Sequence, residues 1–133
     1  MGKKEIYKAK NIQFLKDIAT QDGVKLLPGG IYYKVLAEGT GTSSPAPRSI
    51  VTVYYKGSLI DGKVFDDSFA RNCPEAFRLY ELIEGWQIAL RSMHEGDRWM
   101  IYVPYEKGYG TRTSGPIPAF STLIFEIELI KIA

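Results

Sequence analysis

The sequence predicts an α+β domain: several antiparallel strands, one short helix packed across one face, and a helical appendage at the N-terminus. Three observations predict it. Residues 122–132 alternate throughout, with Leu123, Phe125, Ile127 and Leu129 on one face and Ile124, Glu126, Glu128 and Ile130 on the other. That is the pattern of a half-buried antiparallel strand. Earlier runs of β-branched and aromatic residues are separated by Gly, Pro and Asp-Gly turn signals. Helical spacing of apolar residues occurs only twice, at residues 5–19 and 84–93. With 133 residues, the chain has the size of one domain around one core.

In chain order, Ile6, Ala9, Phe14, Leu15, Ile18 and Ala19 gather on one side of a first helix, and Ile12 broadens that stripe. Asp22-Gly23 closes it and Pro28-Gly29-Gly30 marks a turn. Residues 31–36 are strand-like, and residues 39–47 form a loop of Gly, Thr, Ser and Pro. Residues 50–60 make a long strand run, Asp61-Gly62 signals a hairpin, and Val64-Phe65 resumes the extended chain. Pro74 limits pairing across the irregular residues 67–74, and residues 76–79 suit a short strand. Trp86, Ala89, Leu90 and Met93 have the spacing of the second helix. Residues 98–103 alternate as a strand that Pro104 ends, and a Gly- and Pro-rich loop over 105–120 leads to the last strand. The expected division is a helical arm, 1–24, and a domain, 25–133.

Composition excludes several classes of function. The net charge of +2 is too small to argue for nucleic acid. Residues 1–25 hold six Lys against three acidic residues, which reads as a solvated helix face. Cys73 is alone and His94 is the single histidine, which argues against an intramolecular disulfide and a dedicated metal site. Phosphate-binding loops, zinc spacings and a nucleophile elbow are missing, so no cofactor is implied. No apolar run approaches the ~18 residues of a membrane span, and none near Met1 suits a signal segment. As written the chain reads as cytoplasmic, with a processed periplasmic or envelope form left open.

The informative pattern is the placement of aromatic residues. Val51-Thr52-Val53-Tyr54-Tyr55-Lys56-Gly57 is followed by Asp61-Gly62-Lys63-Val64-Phe65-Asp66. Further on come Leu82-Ile83-Glu84-Gly85-Trp86, Glu95-Gly96-Asp97-Arg98, Pro104-Tyr105-Glu106-Lys107-Gly108-Tyr109-Gly110, and Thr122-Leu123-Ile124-Phe125-Glu126-Ile127-Glu128-Leu129. In order and spacing these resemble the motifs of the FKBP-type peptidyl-prolyl cis-trans isomerases, over roughly residues 31–132. The resemblance implies a curved half-barrel sheet over the short helix and a surface pocket for proline. It implies Trp86 as the pocket floor and Tyr55, Phe65, Ile83 and Phe125 as its walls. It implies Tyr109 as a hydrogen-bond donor, Asp66 as the polar group, Arg71 as its partner, and Ile117 as an apolar cover. Tyr54 stands where His is common, Gly108 where Ala is usual, and Glu75 where an aromatic wall residue is frequent. The loop 111–121 is about one residue short, with Ala119 where a second Pro is typical.

The activity so implied is rotation of X-Pro bonds in peptides and folding proteins. Its partners would be proline-containing peptides and unfolded segments, with macrolide inhibitors as ligands of the same pocket. No covalent bond is made or broken, so neither nucleophile nor cofactor is required. Tyr55, Phe65, Asp66, Tyr109 and Phe125 would act on the rotating bond, and Ile83, Trp86, Arg71 and Ile117 would hold the substrate. The alternative is a proline-segment binding module or folding chaperone without turnover. An acid–base enzyme pairing Asp66 with His94 or Tyr109 is a weaker third reading, because His94 reads as solvent-facing beside a turn. A monomer is favoured over a dimer formed through the first helix. No pocket position falls in residues 1–24, so their removal is expected to leave small-peptide activity largely intact.

Overall fold

A computed structural model describes all 133 residues, Met1–Ala133. It contains two helices, α1 (Lys3–Ile18) and α2 (Glu84–Leu90), and seven strands. The strands are β1 (Lys25–Leu27), β2 (Ile31–Ala37), β3 (Ile50–Ser58), β4 (Val64–Asp67), β5 (Glu75–Arg78), β6 (Arg98–Val103) and β7 (Leu123–Ile132). Single 3-10 turns lie at Leu79–Glu81 and Tyr105–Lys107. The strands form one sheet in the order β1-β2-β6-β7-β3-β4, and β5 joins β3 off that path. All pairings are antiparallel. One side of β3 runs along β7; the other is shared by β5 at its start and β4 at its end. Register shifts at Val35/Ala37, Thr52/Val53 and Gly57/Ser58 interrupt the ladders, and such bulges bend a sheet. The result is an open, curved half-barrel.

The pleat sends alternate residues to opposite faces. Val51, Val53 and Tyr55 of β3, Trp99, Ile101 and Val103 of β6, and Leu123, Phe125, Ile127 and Leu129 of β7 are all buried. They join Trp86, Ala89, Leu90 and Met93 in one hydrophobic cluster, so the concave face is closed by α2 and the turn after it. Gly85 sets how closely α2 approaches: a Cβ there would stand 2.5 Å from Cγ1 of Val103. Any side chain would lift the helix, and with it the Trp86 ring, off the sheet.

Most elements lie where periodicity placed them. Strand β1 was not expected. Its three residues are half-buried at most and pair only with β2, so they carry no readable alternation. Helix α2 stops at Leu90, and Met93 reaches the core from the turns that follow.

Helix α1 docks by only part of the expected face: Phe14, Leu15 and Ile18 are turned inward, but Ala9 and Ala19 are exposed. Ile6 and Ile12 are exposed, and the docked side chains are Tyr7, Asn11, Phe14, Leu15 and Ile18. Asn11 is completely buried. Its Oδ1 accepts the Thr122 backbone N–H at 2.7 Å, its Nδ2 donates to the Tyr7 carbonyl at 2.8 Å, and its own carbonyl accepts the Thr122 hydroxyl at 3.2 Å. The Tyr7 hydroxyl lies 2.8 Å from Oγ of Ser121. The helix is thus held at the start of β7 by a polar clamp, and counting apolar residues along the helix cannot see one. No helix is long and apolar enough to cross a membrane.

Candidate active site

Strands β3, β4, β5 and β7, the start of α2 and the loop after β6 surround a cavity of about 280 Å³. Its lining is Tyr55, Phe65, Asp66, Phe77, Glu81, Leu82, Ile83, Trp86, Tyr109 and Phe125. Tyr55 and Phe125 stand on inward positions of neighbouring strands, and α2 sets Trp86 beneath them. Trp86 is the hub of the rings. Tyr55, Phe77 and Phe125 meet it edge-on, with centroids at 5.2, 5.9 and 5.2 Å and interplanar angles of 78, 90 and 89°. Phe65 stands edge-on to Phe125 at 5.7 Å. Such T-shaped arrays match positive ring edges to negative faces and hold each ring in place. The Trp86 indole N–H is buried without an acceptor, so the floor also offers an unused donor.

Gly57 makes room for this wall. It lies opposite Phe125 in the β3–β7 register and opposite Asp66 in β3–β4. A Cβ at this position would fall 2.6 Å from Cζ of Phe65 and 2.8 Å from Cε1 of Phe125.

Two carboxylates line the cavity, Asp66 and Glu81, and Asp66 is the one tied to a ring hydroxyl. Asp66 accepts a hydrogen bond from the Tyr55 hydroxyl, and Nη1 of Arg71 donates to it at 2.7 Å. Arg71 also donates through Nη2 to Glu75 at 3.2 Å. Partial burial works to raise the Asp66 pKa, but the Tyr55 and Arg71 hydrogen bonds outweigh it and hold the carboxyl below its usual range. Burial, reinforced by the bond to Asp66, pushes Tyr55 up to about 12. At neutral pH the pair is therefore an ionised carboxylate and a protonated phenol. Asp66 pushes the Arg71 pKa further upward, so this guanidinium stays charged.

Tyr109 is exposed at the mouth. Its loop is tied by hydrogen bonds from the Gly108 and Gly110 amides to the Tyr105 carbonyl and from the Phe120 amide to Gly110. The Ile83 carbonyl accepts from the Trp86 and Gln87 amides, whereas its own N–H donates to no backbone acceptor. The rim thus presents a phenol, a free amide N–H and a carboxylate around an apolar floor.

Of the nine positions expected from the sequence, Tyr55, Phe65, Asp66, Ile83, Trp86, Tyr109 and Phe125 line this one cavity. Arg71 lies behind it, touching Asp66 and not the lumen. Ile117 is a correction: it is turned into the core cluster, where a tight Ser114–Ile117 bridge holds it, and it does not cover the cavity. Phe77 was missed. Glu75, at the position where an aromatic wall was sought, is spent on Arg71, and Phe77 supplies the ring from the same side of β5 two residues later. The period of a strand could have pointed to it. Glu81 and Leu82 carry no comparable signal. His94 lies in a different depression, with Nδ1 3.6 Å from the buried Asp97. Asp97 itself accepts the Gly39 and His94 amides, which is a turn-holding role. The acid–base pairing of Asp66 with His94 is thereby contradicted.

Fold and cavity define a class: a half-barrel domain with an aromatic-lined pocket that carries polar groups at its rim. A family model described as FKBP-type peptidyl-prolyl cis-trans isomerase matches residues 41–130. The chain belongs to that family. It is 43% identical over 120 residues to the macrophage infectivity potentiator of Trypanosoma cruzi, covering 90% of this chain and 61% of that protein. To the FKBP-type 22 kDa peptidyl-prolyl cis-trans isomerase of Escherichia coli it is 42% identical over 125 residues, covering 93% and 60%. Among solved structures, FkpA from Escherichia coli superposes with a TM-score of 0.91 at 37% identity, covering 96% of this chain and 60% of that one. A peptidyl-prolyl cis-trans isomerase from Pseudomonas syringae gives 0.91 at 36% identity, covering 100% and 98%. The chain spans about six-tenths of the length of the curated relatives just named.

Proposed function

We propose that this chain is a peptidyl-prolyl cis-trans isomerase that accelerates rotation of X-Pro bonds in peptides and unfolded protein segments. The observation that carries the reading is the Trp86-centred ring pocket, with an ionised Asp66 held at its edge by Tyr55 and Arg71. Family membership supports it. Macrolides that mimic proline would compete for the same pocket. The catalytic unit is placed within residues 25–133, with residues 1–24 as a docked arm. A monomer completes the proposal, cytoplasmic as written, with a processed periplasmic or envelope form as the alternative.

Rotation about an X-Pro bond is opposed by a barrier of ~18–20 kcal/mol, because twisting breaks amide resonance. The planar amide has a large dipole that water solvates well; the twisted amide has less charge separation. A ring-lined, water-poor pocket therefore disfavours the planar form more than the twisted one, and only such differential stabilisation raises the rate. Phe65, Phe77, Trp86 and Phe125 would grip the proline ring. The Ile83 N–H and the Tyr109 hydroxyl would fix the chain on either side of the bond. Asp66, kept ionised by Tyr55 and Arg71, would face the carbonyl region of the twisting amide. Each ~1.4 kcal/mol gained in this way is a factor of ten in rate.

The test is exchange NMR on a short X-Pro peptide. The wild type should accelerate isomerisation, and Phe65→Ala and Asp66→Ala should each lower kcat/KM by about tenfold or more with circular dichroism unchanged. Full activity in both folded variants would refute the site. No acceleration by wild type, with Trp86 fluorescence still responding to the peptide, would leave a binding module.

A further inference from the structure

A second groove opens directly from the proline pocket. It is lined by Ile50, Ala76, Phe77, Arg78, Glu81 and Leu82, and it shares Phe77, Glu81 and Leu82 with the pocket. Along it runs β5, a four-residue strand whose sole partner is β3.

The ladder shows which way β5 points its hydrogen-bonding groups. Ile50 gives both its N–H and its carbonyl to Ala133, on the far side of β3. The Ile50–Arg78 pair is therefore a non-bonded pair of the β3–β5 ladder. Leu79 donates to Ser49, so the bonded pairs are the alternate ones, with Val51–Phe77 among them. Antiparallel alternation then turns the N–H and carbonyl groups of Ala76 and Arg78 away from β3, at the open edge of the strand that lines the groove. Exposed Ile50, opposite Arg78 on β3, adds apolar surface to the groove.

We propose that this groove is a subsite for the substrate chain flanking the X-Pro bond, which adds to the open edge of β5 as a short strand. The inference rests on the isomerase reading for its occupant, because the groove is continuous with the proline pocket. Residues two apart on a strand span about 7 Å, so Ala76 and Arg78 would pair with two or three residues of the flanking chain beyond those seated in the proline pocket. Main-chain pairing of this kind supplies affinity with little dependence on sequence, as strand addition does elsewhere. It suits an enzyme that meets many unfolded chains. Arg78 and Glu81, of opposite charge, leave the groove without a strong preference for either sign in the flanking side chains.

The experiment compares an X-Pro tetrapeptide with versions lengthened by three residues on the N-terminal or the C-terminal side. Kd is read from Trp fluorescence, and KM and kcat from exchange NMR. One lengthened peptide should bind about tenfold more tightly with kcat unchanged, the effect of about two added neutral hydrogen bonds. N-methylation of the added residues should abolish that gain. So should Ala76→Pro, which removes an outward N–H without touching the β3 ladder, and tetrapeptide kcat/KM should stay within about twofold. A gain on neither side, or one that survives both N-methylation and Ala76→Pro, would overturn the proposal. N-methylation acts on the ligand alone, so it decides even if the variant misfolds. Missing tetrapeptide turnover with the gain in Kd intact would count against the isomerase reading and leave the groove standing.

Discussion

Replacing Gly57 by alanine tests whether the wall of the pocket depends on the bare backbone of β3. The added methyl would lie 2.6 and 2.7 Å from two carbons of the Phe65 ring and 2.8 Å from one of Phe125. Carbon atoms settle at about 3.5–4.0 Å, so the overlap is close to 1 Å and the two rings cannot both stay. Phe125 is 4% exposed and sits in β7, between β3 and β6. Phe65 is half-buried on the four-residue edge strand β4, so it is the ring that moves. Overpacking of this kind costs about 1–3 kcal/mol, and the lower end applies because Phe65 can yield into the cavity. The same movement narrows the space for a proline ring. A misplacement of about 1 Å near a reacting bond can cost on the order of a hundredfold, and we expect a fall in kcat/KM of tenfold or more. The assay is tetrapeptide isomerisation alongside urea unfolding. Gly62→Ala is the control: Gly62 has φ of +90° in the hairpin turn and nothing within 4 Å of its would-be Cβ. It should lose about 1–2 kcal/mol from backbone strain while keeping kcat/KM within about twofold. If Gly57→Ala retains wild-type kcat/KM, or loses no more than Gly62→Ala, the steric reasoning is refuted.

Turnover of an uncharged X-Pro peptide should be nearly flat from about pH 5.5 to 8.5, because Asp66 is held below its ordinary range and Tyr55 is pushed up to about 12. A marked bell, or a tenfold loss in folded His94→Ala, would revive proton-transfer chemistry. The depressed Asp66 pKa also contributes stability that is complete above the unfolded carboxylate range and is lost as pH falls through the lowered value. Asp66 is 40% exposed, so an acid titration of Asp66→Asn against wild type should show only a small difference. Asn11→Ala leaves the Thr122 N–H buried without its acceptor and should cost about 1–3 kcal/mol in urea unfolding. Tetrapeptide kcat/KM should be unchanged where the variant is folded, and a large loss there would show that α1 shapes the pocket.

The sheet was legible because strand geometry is local, whereas the pocket positions were legible through the resemblance of their motifs to those of a known family. In β7 each second residue meets the same face whatever lies opposite, so Leu123 to Leu129 could be assigned inward from the chain alone. Periodicity by itself marks Tyr55 and Trp86 only as inward positions of a strand and a helix; the resemblance of their motifs is what implied a pocket. Phe65 and Asp66 follow a hairpin turn whose residues announce it. Seven of the nine positions that the resemblance implied meet in one cavity.

Tertiary structure decided the rest, wherever the outcome depended on a partner far along the chain. The face of α1 was set by Asn11 reaching Thr122, 111 residues away, and a buried polar clamp has no apolar signature. Ile117 reads as an apolar loop residue equally well as pocket cover or core, and the bridge to Ser114 turned it inward. Glu75 and Phe77 share one side of β5, and the Arg71 contact to Glu75 leaves Phe77 as the residue of that side that lines the cavity. The open edge of β5 depends on which residues of β3 bond to β7. Backbone direction in a ladder follows from register, and register is set by the neighbouring strand, not by the residues of the strand itself.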